Sequence, residues 1–189
     1  MDDLEFRHFD AAGARAIRDT VQLIHDDAYT TAIEQGAAFN DTAAFMERFD
    51  AYTSRSNGFE LVTAYLGGEP VGQTWGWSLG PKPAWWSGFA PAEGQPPNLT
   101  DEGEGGRTFA LSEIMVRQAW TGQGIAHAMH DELLRHRPER RATLLVDPNN
   151  PTDPYAAYLK WGWRTVGNLR PHWPDAPLFD VLILDLPLK

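Results

Sequence analysis

The sequence predicts a mixed α/β fold built on one sheet with at least one crossover helix. Three observations predict it. Segments with the two-residue alternation of strands interleave with segments of helical spacing. Gly, Pro and Asn turns separate them. At 189 residues the chain suits one domain, 1–189, with a substantial core, and no internal repeat divides it.

Taken in order, residues 4–9 alternate as a short strand, and Asp10 caps a helix over 11–29 with Ile17, Val21 and Ile24 at helical spacing. A second helix over 42–52 follows Asp41, with Phe45, Met46 and Phe49 as its apolar stripe. Asn57 and Gly58 form a turn into a strand over 59–66. The run Gly67, Gly68, Glu69, Pro70 then makes a hairpin into a strand over 71–79. Residues 80–106 break the pattern with five prolines, several glycines and the pair Trp85 and Trp86. A segment of that length is either a functional lid or an insertion stapled by its tryptophans. Regular structure resumes with a strand over 107–117, a helix from 122 to about 135 and a strand over 142–146. A short helix over about 153–161, a strand from Trp163 and a last strand over 179–186 complete the order β-α-α-β-β-β-α-β-α-β-β.

Composition narrows the function. Hydrophobic residues at 42% and charged residues at 22% describe a globular chain rather than a disordered one. No apolar run reaches the roughly 20 residues that span a bilayer, so no membrane partner is expected. The acidic start lacks the features of a secretory signal. Without cysteine there is no disulfide framework and no thiolate nucleophile, and a cytoplasmic location is expected. A formal charge of −10 repels phosphate backbones and disfavours a nucleic-acid partner. The same charge favours a cationic small molecule.

The segment from Ser112 to Leu134 carries the most chemistry. An apolar strand ends at Val116, and a turn with Gly122 and Gly124 opens an amphipathic helix. Backbone N–H groups of a glycine-rich turn at a helix N-terminus form an anion site. Two glycines alone are equally a plain strand-to-helix turn. Glu113 is a carboxylate inside an apolar strand, unexpected unless it faces a cleft, where burial raises its pKa toward that of a useful base. It is otherwise a substrate ammonium ligand or an outward-facing strand residue. His127 and His130 stand one helical turn apart without a third ligand in the sequence, and are read as surface or packing residues, so no metal is expected. Trp75 and Trp77 share a strand face and are read as core, with an acceptor pocket shared with Trp85 and Trp86 as the alternative. Asp101, Glu102 and Glu104 are read as a solvated acidic run.

Thr121, Gly122, Gln123, Gly124, Ile125 and Ala126 together resemble the acetyl-CoA pyrophosphate loop of GNAT acyltransferases, Gln/Arg-x-x-Gly-x-Gly/Ala, at each Gly/Ala position. Thr121 stands where that family has Gln or Arg, and Arg117 or Gln123 is the candidate replacement donor. Downstream, Asn149 and Asn150, then Tyr158, Gly162 and Trp163, resemble the family's Asn…Tyr-x-x-x-Gly-Phe ending. The two motifs cover about 110–166. The resemblance implies a GNAT fold: a mostly antiparallel sheet of about seven strands with a central V-shaped splay, flanked by helices. It implies acetyl-CoA as cosubstrate, held by Met115, Val116, Arg117, residues 121–126, Asn149 and Asn150. Tyr158 is then the general acid for the departing thiolate and Glu113 the leading base.

The expected activity is acetyl transfer to an amine of a small molecule. The alternatives are another acyl donor, such as an aminoacyl-tRNA, and a non-catalytic acyl-CoA-binding module. A homodimer fits the class, although no residue fixes an interface.

Overall fold

The computed structural model describes residues 3–55, 57–149 and 154–188. The chain sorts into two compact units, each made of two separate stretches: Met1–Trp77 with Leu111–His136, and Ser78–Ala110 with Arg137–Lys189.

In the first unit, β1 (Leu4–Phe9), β2 (Glu60–Leu66) and β3 (Glu69–Ser78) form an antiparallel meander. The helices are α1 (Ala11–Ala16), α2 (Arg18–Ala28), α3 (Thr30–Glu34), α4 (Thr42–Arg55) and α5 (Ile125–Leu134). Asp10 caps α1 as expected, its Oδ1 accepting from Gly13 N at 2.7 Å. The single helix expected over 11–29 is instead broken at Ile17. Each half is fastened to α4 separately: Arg15 donates to Thr53 O at 2.6 Å, and Arg18 clamps Asp50 through two nitrogens at 2.9 and 3.1 Å.

The sheet packs on both faces. One face carries Trp75, fully buried among Phe45, Phe49, Tyr52 and Phe59 at centroid distances of 5.6–6.5 Å. Trp77 stacks on Tyr52 at 4.3 Å, so both strand tryptophans serve the core. The other face packs Ala64 and Val71 on Ile125 and Met129 of α5. Gly72 permits that approach, because a Cβ there would lie 2.8 Å from Met129 Cε and 2.9 Å from Met115 O.

The second unit holds the start of β5 (Thr108–Val116), β6 (Arg141–Val146), α6 (Pro154–Lys160), β7 (Arg164–Leu169), β8 (Phe179–Asp185) and the two-residue β4 (Ala90–Pro91). The hydrogen-bonded strand order along the chain is β1-β2-β3-β5-β6-β8-β7-β4. β5 and β6 are parallel and keep register only over Thr108–Ala110 opposite Arg141–Thr143, although both strands continue. The pairs β6–β8, β8–β7 and β7–β4 are antiparallel. The fold is thus mixed α/β with a mostly antiparallel sheet of eight strands rather than about seven.

The additional strand, β4, lies in the segment expected to lack regular structure. That segment is also pinned by a buried carboxylate. Glu102, 1% exposed, accepts at Oε1 from Trp86 Nε1 (3.0 Å), Thr108 Oγ1 (2.8 Å) and Arg141 Nη2 (3.1 Å). The reading of Glu102 as part of a solvated run is therefore wrong. A carboxylate can be this buried because cationic and neutral donors replace its water. Among the described residues no helix is long and apolar enough to cross a membrane.

Candidate active site

β5 alternates, and its neighbours fix which residue faces where. Ile114 and Val116 pack against the Ala64–Val71–Ile125–Met129 cluster on the α5 face. Met115 points the other way, where Gln73 Nε2 reaches its Sδ at 3.3 Å and Val21 O at 3.0 Å. Alternation puts Glu113 on the face of Met115, toward α2 and α4. Thr74 Oγ1 donates to the carbonyl of Glu113 at 2.8 Å and holds its backbone. Desolvation pushes the Glu113 carboxyl up to about 7, opposed by the positive charge of Arg48. The residue keeps intermediate exposure, so a group held out of bulk water remains within reach of a ligand.

Around Glu113 stand side chains that the sequence reading did not single out. Burial and the Glu113 charge both raise the Tyr29 phenol, so it stays neutral. Tyr29 stacks on His25 at 5.1 Å, and His25 stacks on Phe45 at 3.8 Å. His25 is 1% exposed; desolvation lowers its pKa against the pull of Asp26, whose Oδ1 is 3.1 Å from Nδ1. Arg48, also buried, donates from Nη1 to Phe39 O at 2.9 Å and lies 4.0 Å over the Phe39 ring. One signal for Arg48 was present in the sequence: a cation inside the apolar stripe Phe45, Met46, Phe49.

Beyond β5 the chain makes a 3-10 turn over Gln118–Trp120 and reaches α5 through Thr121, Gly122, Gln123 and Gly124. Gly122 and Gly124 have φ of 74° and 80°, the left-handed region that glycine enters without penalty. A Cβ at Gly122 would meet nothing, so conformation alone explains that glycine. Gly124 is the N-cap of α5 and supplies no side-chain acceptor, so the first N–H groups of the helix have no side-chain cap.

The side chains weighed as phosphate donors are engaged locally. Thr121 Oγ1 donates to Gln118 O at 2.9 Å, and Gln123 Nε2 to Ala119 O at 3.3 Å. Arg117 donates from Nε to Asp27 Oδ2 (2.9 Å) and from Nη1 to Glu69 Oε1 (2.8 Å) and Pro70 O (3.1 Å). The other Asp27 oxygen accepts from Gln118 N at 2.7 Å. Asp27, on α2, thus braces the entry to the loop from two directions.

In the second unit Tyr158 sits on α6, 7% exposed, edge-on to Trp161 at 5.4 Å and to Trp163 at 6.3 Å. Gly162, φ 93°, ends the helix: its N–H donates to Leu159 O (3.2 Å) and that of Trp163 to Tyr158 O (3.1 Å). This is the Schellman pattern, and it gives the glycine of the second motif a structural reason. Asn149 is exposed, its N–H donating to Asp147 Oδ1 at 2.8 Å. Asn150 lies outside the described residues. In the first unit, His127 and His130 do have a potential third ligand: Asp131 brings the three ligand atoms within 4.8 Å of one another. Hydrogen-bond and ion-pair distances of 2.8 and 3.6 Å from Asp131 Oδ1 to the two rings account for that grouping.

Residues 21–163 match the profile of the acetyltransferase (GNAT) family. No curated protein matches the chain. Among solved structures, a GNAT family acetyltransferase from Elizabethkingia anophelis with acetyl-CoA bound superposes with a TM-score of 0.60 at 15% identity, over 98% of this chain and 100% of that one. An aminoglycoside 6'-acetyltransferase type Ii gives 0.59 at 16% identity, over 98% and 99%. A ribosomal-protein-alanine N-acetyltransferase from Brucella melitensis gives 0.57 at 17% identity, over 96% and 99%. At these identities the likeness is one of fold, and the two names that state an acceptor, an aminoglycoside and a ribosomal-protein alanine, state different ones.

Proposed function

We propose, from the premise that this chain belongs to the GNAT acetyltransferase family and is an acyltransferase, that it moves the acetyl group of acetyl-CoA to the amine of a small molecule. The observation that carries the reading is Glu113: a desolvated carboxyl pushed up to about 7, on the strand that leads into the glycine loop. A base of that strength is matched to an amine that must lose a proton near neutral pH. The −10 charge adds a field that favours cationic groups.

The loop fits the cosubstrate's pyrophosphate. Two left-handed glycines and an uncapped ten-residue helix present backbone N–H groups and the positive end of the helix dipole. With the side chains of Thr121, Gln123 and Arg117 engaged locally, the backbone carries that binding. The β6 ladder stops at Ala110, and the main chain at Met115 and Val116 is the expected edge for the pantetheine amides. Acetyl-CoA supplies the activated acyl thioester. Glu113 takes the proton from the amine nitrogen, directly or through one water. Tyr158, on sequence resemblance, donates its phenolic proton to the departing sulfur.

Titration with CoA and a turnover assay test the reading together. Gly124→Asp places a carboxylate against the phosphates and removes CoA binding from a folded chain. Tyr158→Phe keeps CoA binding and lowers turnover by about 10²–10⁴-fold. Unchanged CoA affinity in folded Gly124→Asp rejects the loop assignment, and wild-type turnover in Tyr158→Phe reduces that tyrosine to packing.

A further inference from the structure

Arg48 is 6% exposed, and its contacts are one carbonyl and two ring faces: Phe39 O at 2.9 Å, the Phe39 ring at 4.0 Å and the Phe45 ring at 6.0 Å. Among the described residues no carboxylate lies within the 4.0 Å of an ion pair. A guanidinium has five N–H donors, and removing it from water is unfavourable unless an anion or a full set of acceptors replaces the solvent. Two half-buried arginines obey that rule by pairing with buried carboxylates: Arg137 with Glu139 at 2.7 Å and Arg141 with Glu102 at 3.1 Å. Arg48 departs from it.

Glu113 is not the missing partner. An ion-paired carboxylate is held below its ordinary value, whereas that of Glu113 is raised, and Arg48 acts on it only as a weaker opposing charge. Aromatic rings stand around the two groups, Phe39 and Phe45 under the guanidinium and Tyr29 and His25 stacked beyond, and the carboxylates of Asp26 and Asp41 act on His25. Two fully buried polar atoms on the β3 face shared with Met115, Trp75 Nε1 and Gln73 Oε1, also have no hydrogen-bond partner. A buried cation without an anion and a carboxyl within its field describe a site made for a ligand with both charges.

We propose that the acceptor is an amine that also carries a carboxylate, its nitrogen at Glu113 and its carboxylate paired with Arg48. This rests on the acetyl-transfer reading and adds the substrate class to it. The ligand's carboxylate replaces the solvent that Arg48 lost on folding, and its ammonium meets the carboxyl that takes its proton. Arg48 is on this account a specificity-determining residue, since it touches a group of the substrate that takes no part in the acyl transfer.

The test compares amino acids with their decarboxylated counterparts: L-phenylalanine with 2-phenylethylamine, and 4-aminobutyrate with propylamine. Acetylation by wild type is expected to favour the carboxylate-bearing member of a pair by at least about tenfold in kcat/KM, expressed mainly in KM. In Arg48→Met that ratio falls to about one, and in Arg48→Lys it is partly kept. CoA titration of each variant confirms a folded chain. Equal kcat/KM for both members in wild type overturns the proposal and leaves the acetyl-transfer reading intact. So does a preference that survives Arg48→Met. If no amine is acetylated, the acetyl-transfer reading fails; calorimetry of the CoA-loaded protein with L-phenylalanine and with 2-phenylethylamine then decides on Arg48 by itself, equal affinities overturning it.

Discussion

In the proposed role, Glu113 sets the pH at which the reaction runs, because the desolvation that would make it a base also moves its titration. With its carboxyl pushed up to about 7, kcat/KM should fall on the acid side of pH 7, where the base is protonated. The charge that acts on it is that of Arg48, which lowers it, while Tyr29, itself raised by burial and the Glu113 charge, stays neutral throughout that range. His25 is held below its ordinary value and titrates at lower pH. Glu113→Gln should therefore lower kcat by about 10²–10⁴-fold and abolish the acid limb. A pH–rate profile of the variant that keeps the limb near pH 7 removes Glu113 from the base role. Glu113 was legible in the sequence because a charge interrupts an apolar strand. Arg48 carries the same signal in a helix, yet its meaning depends on Phe39, Tyr29 and β5 converging on it, which spacing along one element does not reveal.

The entry to the glycine loop is held by an element distant in sequence. Asp27 on α2 binds Gln118 N and Arg117 Nε at 2.7 and 2.9 Å, and α2 also presents His25. One helix thus braces the proposed cosubstrate loop and lines the proposed acceptor side. Asp27→Asn keeps the volume but loses the charge-assisted bonds, each worth about 1.5–3 kcal/mol when well shielded and less at this partly exposed position. The expected outcome is a rise of about tenfold in KM for acetyl-CoA with a smaller change in kcat; a KM equal to wild type removes Asp27 from the positioning role.

The helix start at Asp10, the β2–β3 hairpin and the strand-loop-helix of β5 and α5 were all legible, because caps, turn residues and periodicity are local. The break at Ile17 was not, since it depends on Arg15 and Arg18 reaching α4 separately. Nor was β4, whose two residues are strand only by pairing with β7.

For the molecule as a whole, the proposed site opposes stability. A carboxyl raised from its ordinary value to about 7 is protonated in the folded chain and ionised in the unfolded one between those two values. Folding is therefore progressively disfavoured as pH rises through that window, and the penalty is complete above it. Glu113→Gln should raise the melting temperature at pH 8 and leave it little changed at pH 4. Equal shifts at both pH values place the effect in packing rather than in ionisation. Such opposition between folding and function is expected where a charge is desolvated for chemistry.

The interleaving of the two compact units has a further consequence, for anyone who cuts the gene. Each unit is assembled from two stretches, and β5 begins in one and ends in the other. A fragment ending near Trp77 keeps the Ala64 and Val71 side of the α5 cluster but lacks Ile125 and Met129, which complete it. No single truncation point yields either unit intact. Splitting the chain for complementation, or grafting one unit into another scaffold, therefore requires rejoining distant segments with a new linker.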